Sequence, residues 1–121
     1  METTTLYRPT GENELGLIRD SGWRKFPPRL PSQPIFYPVL NKEYAIQIAR
    51  DWNTRDGGIG YVLCFDVEAE YLKQFPIQTA GSRTHQEYWI PADQLDDFNE
   101  HIVGLIEVVG EYKAPSTPPL Q

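Results

Sequence analysis

The chain has 121 residues, which suits one domain built around one core. Hydrophobic residues make up 40%, aromatics 12% and charged residues 23%, a globular balance that argues against intrinsic disorder over most of the length. The net charge is -6 and no basic block appears, so a non-specific nucleic-acid surface is not expected, although a local anion site built from one or two arginines remains open.

Thr3 to Arg8, rich in Thr and carrying Tyr7, reads as a first strand, and Pro9-Thr10-Gly11 breaks it. Thr10 or Asn13 is a candidate cap for a short helix running to about Asp20, with Leu15, Leu17 and Ile18 as its apolar residues and Ser21-Gly22 as its end. Trp23 to Pro34 contains Pro27, Pro28, Pro31 and Pro34, so it is expected to be an ordered or semi-rigid loop. It also concentrates positive charge in Arg24, Lys25 and Arg29, and long irregular loops in small domains tend to be functional.

Ile35 to Leu40 is a short strand that Pro38 assigns to an edge or a bulge. Asn41 caps the clearest helix, which runs to about Asn53 and repeats Tyr44, Ala45, Ile48, Ala49 and Trp52 on one face. Asp56-Gly57-Gly58 is a turn, Gly60 to Val67 a strong strand, and Glu68 to Phe75 a helical turn carrying Tyr71, Leu72 and Phe75. Ile77 to Thr79 is extended, and Ala80 to Thr84 is a small loop carrying Arg83. A strand containing Glu87 follows. Ile90-Pro91-Ala92-Asp93 suits a helix start, with Leu95, Phe98 and Ile102 as a buried stripe and Gly104 closing the helix. Leu105 to Val109 is expected to be a last core strand ending near Tyr112.

The pattern predicts an α+β domain over residues 1–113, with a small, mostly antiparallel split sheet and flanking helices set on one side. Residues 114–121 read as a Pro-rich flexible tail. Cys64 lies in an apolar run and is expected to be a small core residue rather than a nucleophile. A single cysteine forms no intrachain disulfide, and the polar N-terminus resembles no signal peptide. No apolar run approaches the length of a membrane span. The expected setting is therefore cytoplasmic, with no membrane partner.

Recognisable motifs for metal binding, phosphate loops or activated Ser and Cys nucleophiles are absent from the sequence. What stands out is Thr84-His85-Gln86-Glu87-Tyr88-Trp89-Ile90-Pro91, a carboxylate at the head of an aromatic, β-prone run. Burying a carboxylate costs several kcal/mol unless it is paired. Glu87 either faces solvent or faces a cleft that uses its charge. Arg8 sits similarly on another strand, and Tyr37 on the proline-edged one. Together they suit a ligand with phosphates and a flat ring: Arg offers a bidentate fork, Tyr a stacking face, and Glu a partner for a ribose hydroxyl or a positively charged centre. The plainer alternative makes Arg8 a structural salt bridge, Tyr37 a packing residue and Glu87 part of a wet strand face.

These features, in this order, resemble the ADP-ribosyltransferase superfamily, especially its small bacterial members. The resemblance rests on Leu6-Tyr7-Arg8, a helix ending at Gly22, Ile35-Phe36-Tyr37 leading into Tyr44-Ala45-Ile48-Ala49, and Glu87 running into Ile90-Pro91. It spans about Thr4 to Tyr112. It implies NAD as substrate, with Arg8 on its phosphates or ribose, Tyr7 and Tyr37 in the cofactor site with Tyr37 near the nicotinamide, and Glu87 stabilising the oxocarbenium ion as nicotinamide leaves. Tyr37-Pro38-Val39 stands where such proteins often carry Ser-Thr-Ser. His85 stands two residues before Glu87, where arginine-modifying members carry Glu or Gln. The resemblance therefore leaves His85 or Gln86 to position a different, unknown acceptor. Two other classes remain: a non-catalytic module binding a nucleotide or protein, and an interaction protein using its Pro-rich loop or tail.

Overall fold

The computed structural model describes residues 2–55, 58–79 and 85–113. The chain passes through β1 (Thr3–Thr10), α1 (Glu12–Asp20), β2 (Ile35–Phe36), α2 (Lys42–Asp51), β3 (Ile59–Glu68), α3 (Ala69–Leu72), β4 (Ile77–Thr79), β5 (Gln86–Tyr88), β6 (Ile90–Pro91), α4 (Leu95–Glu100) and β7 (Ile102–Lys113). The fold is α+β with small antiparallel sheets. The loop carrying Arg83 and the tail from Ala114 lie outside the described residues, as do Asp56 and Gly57 of the expected turn.

β1, β3 and β7 form one antiparallel sheet with β3 in the middle. Side chains alternate between the faces of a strand. Here one face is apolar, and the other is apolar around Val62 and polar toward Thr5 and Asp66, whose side chains hydrogen-bond at 2.6 Å. Leu6, Leu63, Phe65 and Val67 enter the main core with Ile18 of α1, Leu72 of α3 and Phe98 of α4. Val62, on the opposite face, packs with Val39 against Ala45 and Ala49 of α2. The helices therefore flank both faces rather than one, because β1 and β3 have apolar surface to cover on each.

Beyond β1 the chain between Phe36 and Asn41 takes over as the next neighbour. Tyr7 and Val39 exchange both backbone hydrogen bonds, at 2.9 and 2.8 Å. Val39 in turn bridges to Glu87, and β5 pairs with β4. The pairs Ile35–Pro91, Phe36–Ile90 and Val39–Glu87 share one register, so residues 35–39 run antiparallel to 87–91. Pro38 thus follows an edge strand, β2, whose one ladder partner is β6, as a residue without a donor requires. Its carbonyl accepts from the Tyr88 N–H at 2.9 Å, but its missing N–H returns nothing, which divides the ladder into two short pieces.

Pro9 has a similar effect on β1. In an antiparallel pair alternate residues turn their N–H toward the same neighbour. After Tyr7 the next residue of β1 to face the Val39 segment is Pro9, which has no N–H. The two segments consequently separate past the Tyr7–Val39 bridge. β1 continues with β3, while Ile35–Phe36 continues with β6.

The proline-rich loop is pinned rather than loose. The Asn99 side chain accepts from Phe26 N–H at 2.9 Å and donates to Phe26 C=O at 3.0 Å, imitating a strand neighbour. Phe26 is buried against Phe36 and Phe65. Asn41 caps α2 by accepting from Tyr44 N–H at 3.1 Å. The helix stops at Asp51, and Trp52 is 60% exposed beneath the Arg55 guanidinium rather than on the buried face. Gly11, not Thr10 or Asn13, occupies the α1 cap, because Thr10 is still in β1 and buried.

Several C-terminal boundaries move. Pro91 belongs to β6, and a 3-10 turn over Ala92–Gln94 precedes α4. Gly104 lies inside β7 with φ +81°, where the β3–β7 register shifts, so it forms a bulge instead of closing a helix. β7 is an edge strand with Ile106 buried and Val103, Leu105, Val108 and Val109 exposed, not a core strand. Cys64 is half-buried on the α2 face and joins neither hydrophobic cluster.

α2 lies unusually close to β3 at Gly60, where an added Cβ would collide with the Ala49 carbonyl. Backbone atoms cannot move aside as a flexible side chain can. Gly60→Ala is therefore expected to destabilise the fold by about 2–3 kcal/mol, measured as a lowered urea midpoint.

Candidate functional site

Arg8, Tyr37 and Glu87 come together. They line one cavity of about 310 Å³ with Pro9, Val39 and Ile48. The cavity opens where Pro9 lets β1 and the Tyr37 segment part. Its wall of Val39 and Ile48 is supplied by the central bridge and by α2.

Each side chain arrives through the local backbone. Val39 and Glu87 are directly paired, and Tyr37 and Trp89 follow on the same face of the ladder. Tyr37 is 38% exposed and meets Trp89 edge to face at 6.2 Å. Glu87 is half-buried, and its carboxylate forms no hydrogen bond or ion pair among the described residues. Burial, followed by the charge of Glu87, pushes the Tyr44 phenol above its ordinary range. Tyr44 also stacks on His85, with ring centroids 4.3 Å apart and an interplanar angle of 9°. His85 therefore stands on the Glu87 side.

Gln86 does not join them. Its backbone carbonyl accepts from Leu40 N–H at 3.0 Å, and strand alternation turns its side chain to the face opposite Glu87. Tyr7 also falls outside the cavity: its backbone holds Val39, and its side chain packs against the cluster beneath α2. Burial, then Cys64 and Asp66, raise the Tyr7 phenol, so it stays neutral at physiological pH.

Arg8 has a partner that the sequence reading missed. Its Nε and Nη2 donate to the two carboxylate oxygens of Glu14, each at 2.8 Å. Pro9-Thr10-Gly11 folds α1 back onto β1 and carries Glu14 to this position. Thr10 also helps to hold the Glu14 carboxyl in its charged form. Arg29, from the proline-rich loop, brings Nη1 to 3.7 Å from the same carboxylate. The Arg29 Nε donates to the Ile35 carbonyl at 3.2 Å. Both guanidiniums lie over the Phe36 ring, at 4.8 and 5.9 Å from its centroid.

These charges are substantially withdrawn from water. Side-chain exposure is 11% for Arg8, 18% for Glu14 and 10% for Arg29. Burial pushes the Glu14 carboxyl upward. The Arg8 hydrogen bonds, the Arg8 and Arg29 charges and Thr10 outweigh it, and hold the group below its ordinary value of 4.5. Arg29 is drawn below the usual guanidinium range first by burial and then by Arg8, while Glu14 and the Tyr37 phenol oppose this.

A second cavity, of about 680 Å³, opens beside this cluster between the start of α1 and the proline-rich loop. Arg8 lines both cavities, and Arg29 lines the larger. Of the loop's other cations, Arg24 and Lys25 line a separate hollow near the end of α4. The Pro9-Thr10-Gly11 break beside two acids was the sequence signal available for Glu14. Nothing in the local sequence pointed to the Tyr44–His85 stack.

Burial, then Asp66 and Glu107, raise the Cys64 thiol, which keeps it protonated and a poor nucleophile. Among the described residues no group of His, Cys, Asp and Glu is arranged to hold a metal ion. Nor is any described helix long and apolar enough to cross a membrane. Comparison with models of protein families, with curated proteins and with solved structures finds no match.

Glu14→Gln removes the charge that two nearly buried guanidiniums share. It is expected to cost about 3 kcal/mol, read from urea unfolding at pH 7. The carboxyl is lowered in the fold, so its contribution is present above 4.5 and is lost as pH falls through its lower folded value. The stability difference between wild type and Glu14→Gln should accordingly shrink below pH 4.5.

Proposed function

We propose that the cleft binds NAD and that the protein transfers ADP-ribose from NAD to an acceptor, as an ADP-ribosyltransferase-like enzyme. The observation that supports this reading is the convergence of Arg8, Tyr37 and Glu87 on one cavity from three separated segments. Its volume of about 310 Å³ suits the nicotinamide and adjoining ribose better than a whole dinucleotide. The rest of NAD extends past Arg8 into the larger cavity, which shares that residue.

In the proposed reaction the glycosidic C–N bond of NAD breaks and its electron pair leaves with nicotinamide. Positive charge develops on the ribose and is stabilised by the Glu87 carboxylate. Tyr37 offers its ring to the nicotinamide end, and Arg8 offers its remaining N–H groups to the phosphates. The acceptor attacks the ribose carbon and loses a proton. His85, held on the Glu87 side by Tyr44, borders the approach of that acceptor.

One observation favours a second reading. Two donors of Arg8 are already bound to Glu14, as expected of a structural ion pair in a module that binds a nucleotide or protein without chemistry. Nicotinamide release separates the two. Under the enzymatic reading, Glu87→Gln lowers release from NAD by about 100- to 1,000-fold while changing NAD affinity little. Its melting temperature should stay close to wild type, because Glu87 has no described hydrogen bond to lose. Unimpaired release by the variant would remove Glu87 from the mechanism. NAD binding without release from wild type would establish the binding module.

A further inference from the structure

The cluster around Glu14 has more positive charge than its internal pairing neutralises. Two guanidiniums share one carboxylate at 10–18% side-chain exposure. The nearby acid, Glu12, is exposed on the cavity rim. A surplus cation in a poorly hydrated site is costly unless an anion joins it.

The unused donors are positioned for such an anion. Arg8 is fastened through Nε and Nη2, and Arg29 through Nε. Among the described residues Arg8 Nη1 and Arg29 Nη2 have no hydrogen-bond partner. Both arginines border the 680 Å³ cavity. Their Nε anchors and the shared Phe36 platform restrict the two forks, so little side-chain entropy remains to be lost on binding.

We infer that the 680 Å³ cavity is a nucleoside-diphosphate site, with Arg29 as the second diphosphate-binding residue beside Arg8. The assignment rests on taking the cleft as the proposed nucleotide site, and it gives the proline-rich loop a direct part in binding. Glu14 is the positioning residue that holds the two forks together.

The test uses the full chain with three probes: inorganic pyrophosphate, ADP and adenosine. Nitrogen-15 NMR of the arginine Nε–H resonances reports on wild type without substitution. Pyrophosphate and ADP should shift the Arg8 and Arg29 signals, ADP should bind more tightly than pyrophosphate, and adenosine alone should leave both signals in place. Calorimetry with Arg29→Gln should show ADP affinity about 10- to 100-fold weaker, the loss expected for charge-assisted hydrogen bonds. Arg29→Lys should recover part of it.

Unchanged Arg29 resonances at millimolar ADP would overturn the assignment, as would undiminished ADP affinity in a folded Arg29→Gln variant. Glu87-dependent nicotinamide release with no effect of Arg29→Gln on NAD binding would overturn this site while leaving the transfer reading intact. ADP binding through Arg29 without any nicotinamide release would support the site and overturn the transfer reading.

Discussion

The two hydrogen bonds between Tyr7 and Val39 hold the β1 side of the molecule to the Glu87 side. Pairing stops there because Pro9, the next residue of β1 to face that neighbour, has no donor. A longer ladder would have drawn the Tyr37 segment alongside β1 and closed the gap between them. Pro38 acts similarly on the other flank, where Tyr88 reaches its carbonyl and receives no bond in return. A backbone device of this kind opens a cleft beside the two hydrophobic clusters.

The opening determines the surroundings of Arg8. Its aliphatic stem starts among core residues, and its guanidinium reaches the gap over Phe36. At 11% side-chain exposure it needs a counter-charge. Glu14 supplies one because the short Pro9-Thr10-Gly11 connection returns α1 onto the strand it has just left. Arg29 then joins the same carboxylate from a loop fixed by Asn99. Removing Glu14 would therefore disturb strand, helix and loop together. The arrangement leaves cationic donors beside a cavity, a combination that suits anionic ligands better than apolar ones.

The site is bordered by residues of different adaptability. Val39 and Ile48 are held by the sheet and by α2, whose close approach to β3 depends on Gly60 having no Cβ. Tyr37 and Trp89 are substantially exposed, with rings that meet edge to face. Tyr44 and His85 stack on the Glu87 side. A fixed apolar wall facing partly exposed aromatics matches a ligand with one flat end, while Glu87 supplies the negative charge in that cavity.

Local sequence was enough to identify most of the elements, because their signals are short-ranged. The Asn41 cap, the Ala45–Ala49 face of α2, the apolar run of β3 and the glycine after α1 all emerged where their patterns indicated. Arg8, Tyr37 and Glu87 could also be singled out, since a charge or phenol in a β-prone run is chemically conspicuous. The errors arose where distant pairing decides. Gly104 suits both a helix end and a strand bulge, and pairing with β3 selected the bulge. Tyr7 and Gln86 adjoin site residues in sequence, but alternation and packing take their side chains elsewhere. By itself the sequence determined residue types, the α2 cap and the break after β1. Tertiary structure alone decided which charges share one low-dielectric site, because Arg8, Glu14 and Arg29 meet through the convergence of a strand, a helix and a loop rather than through any repeat in the chain.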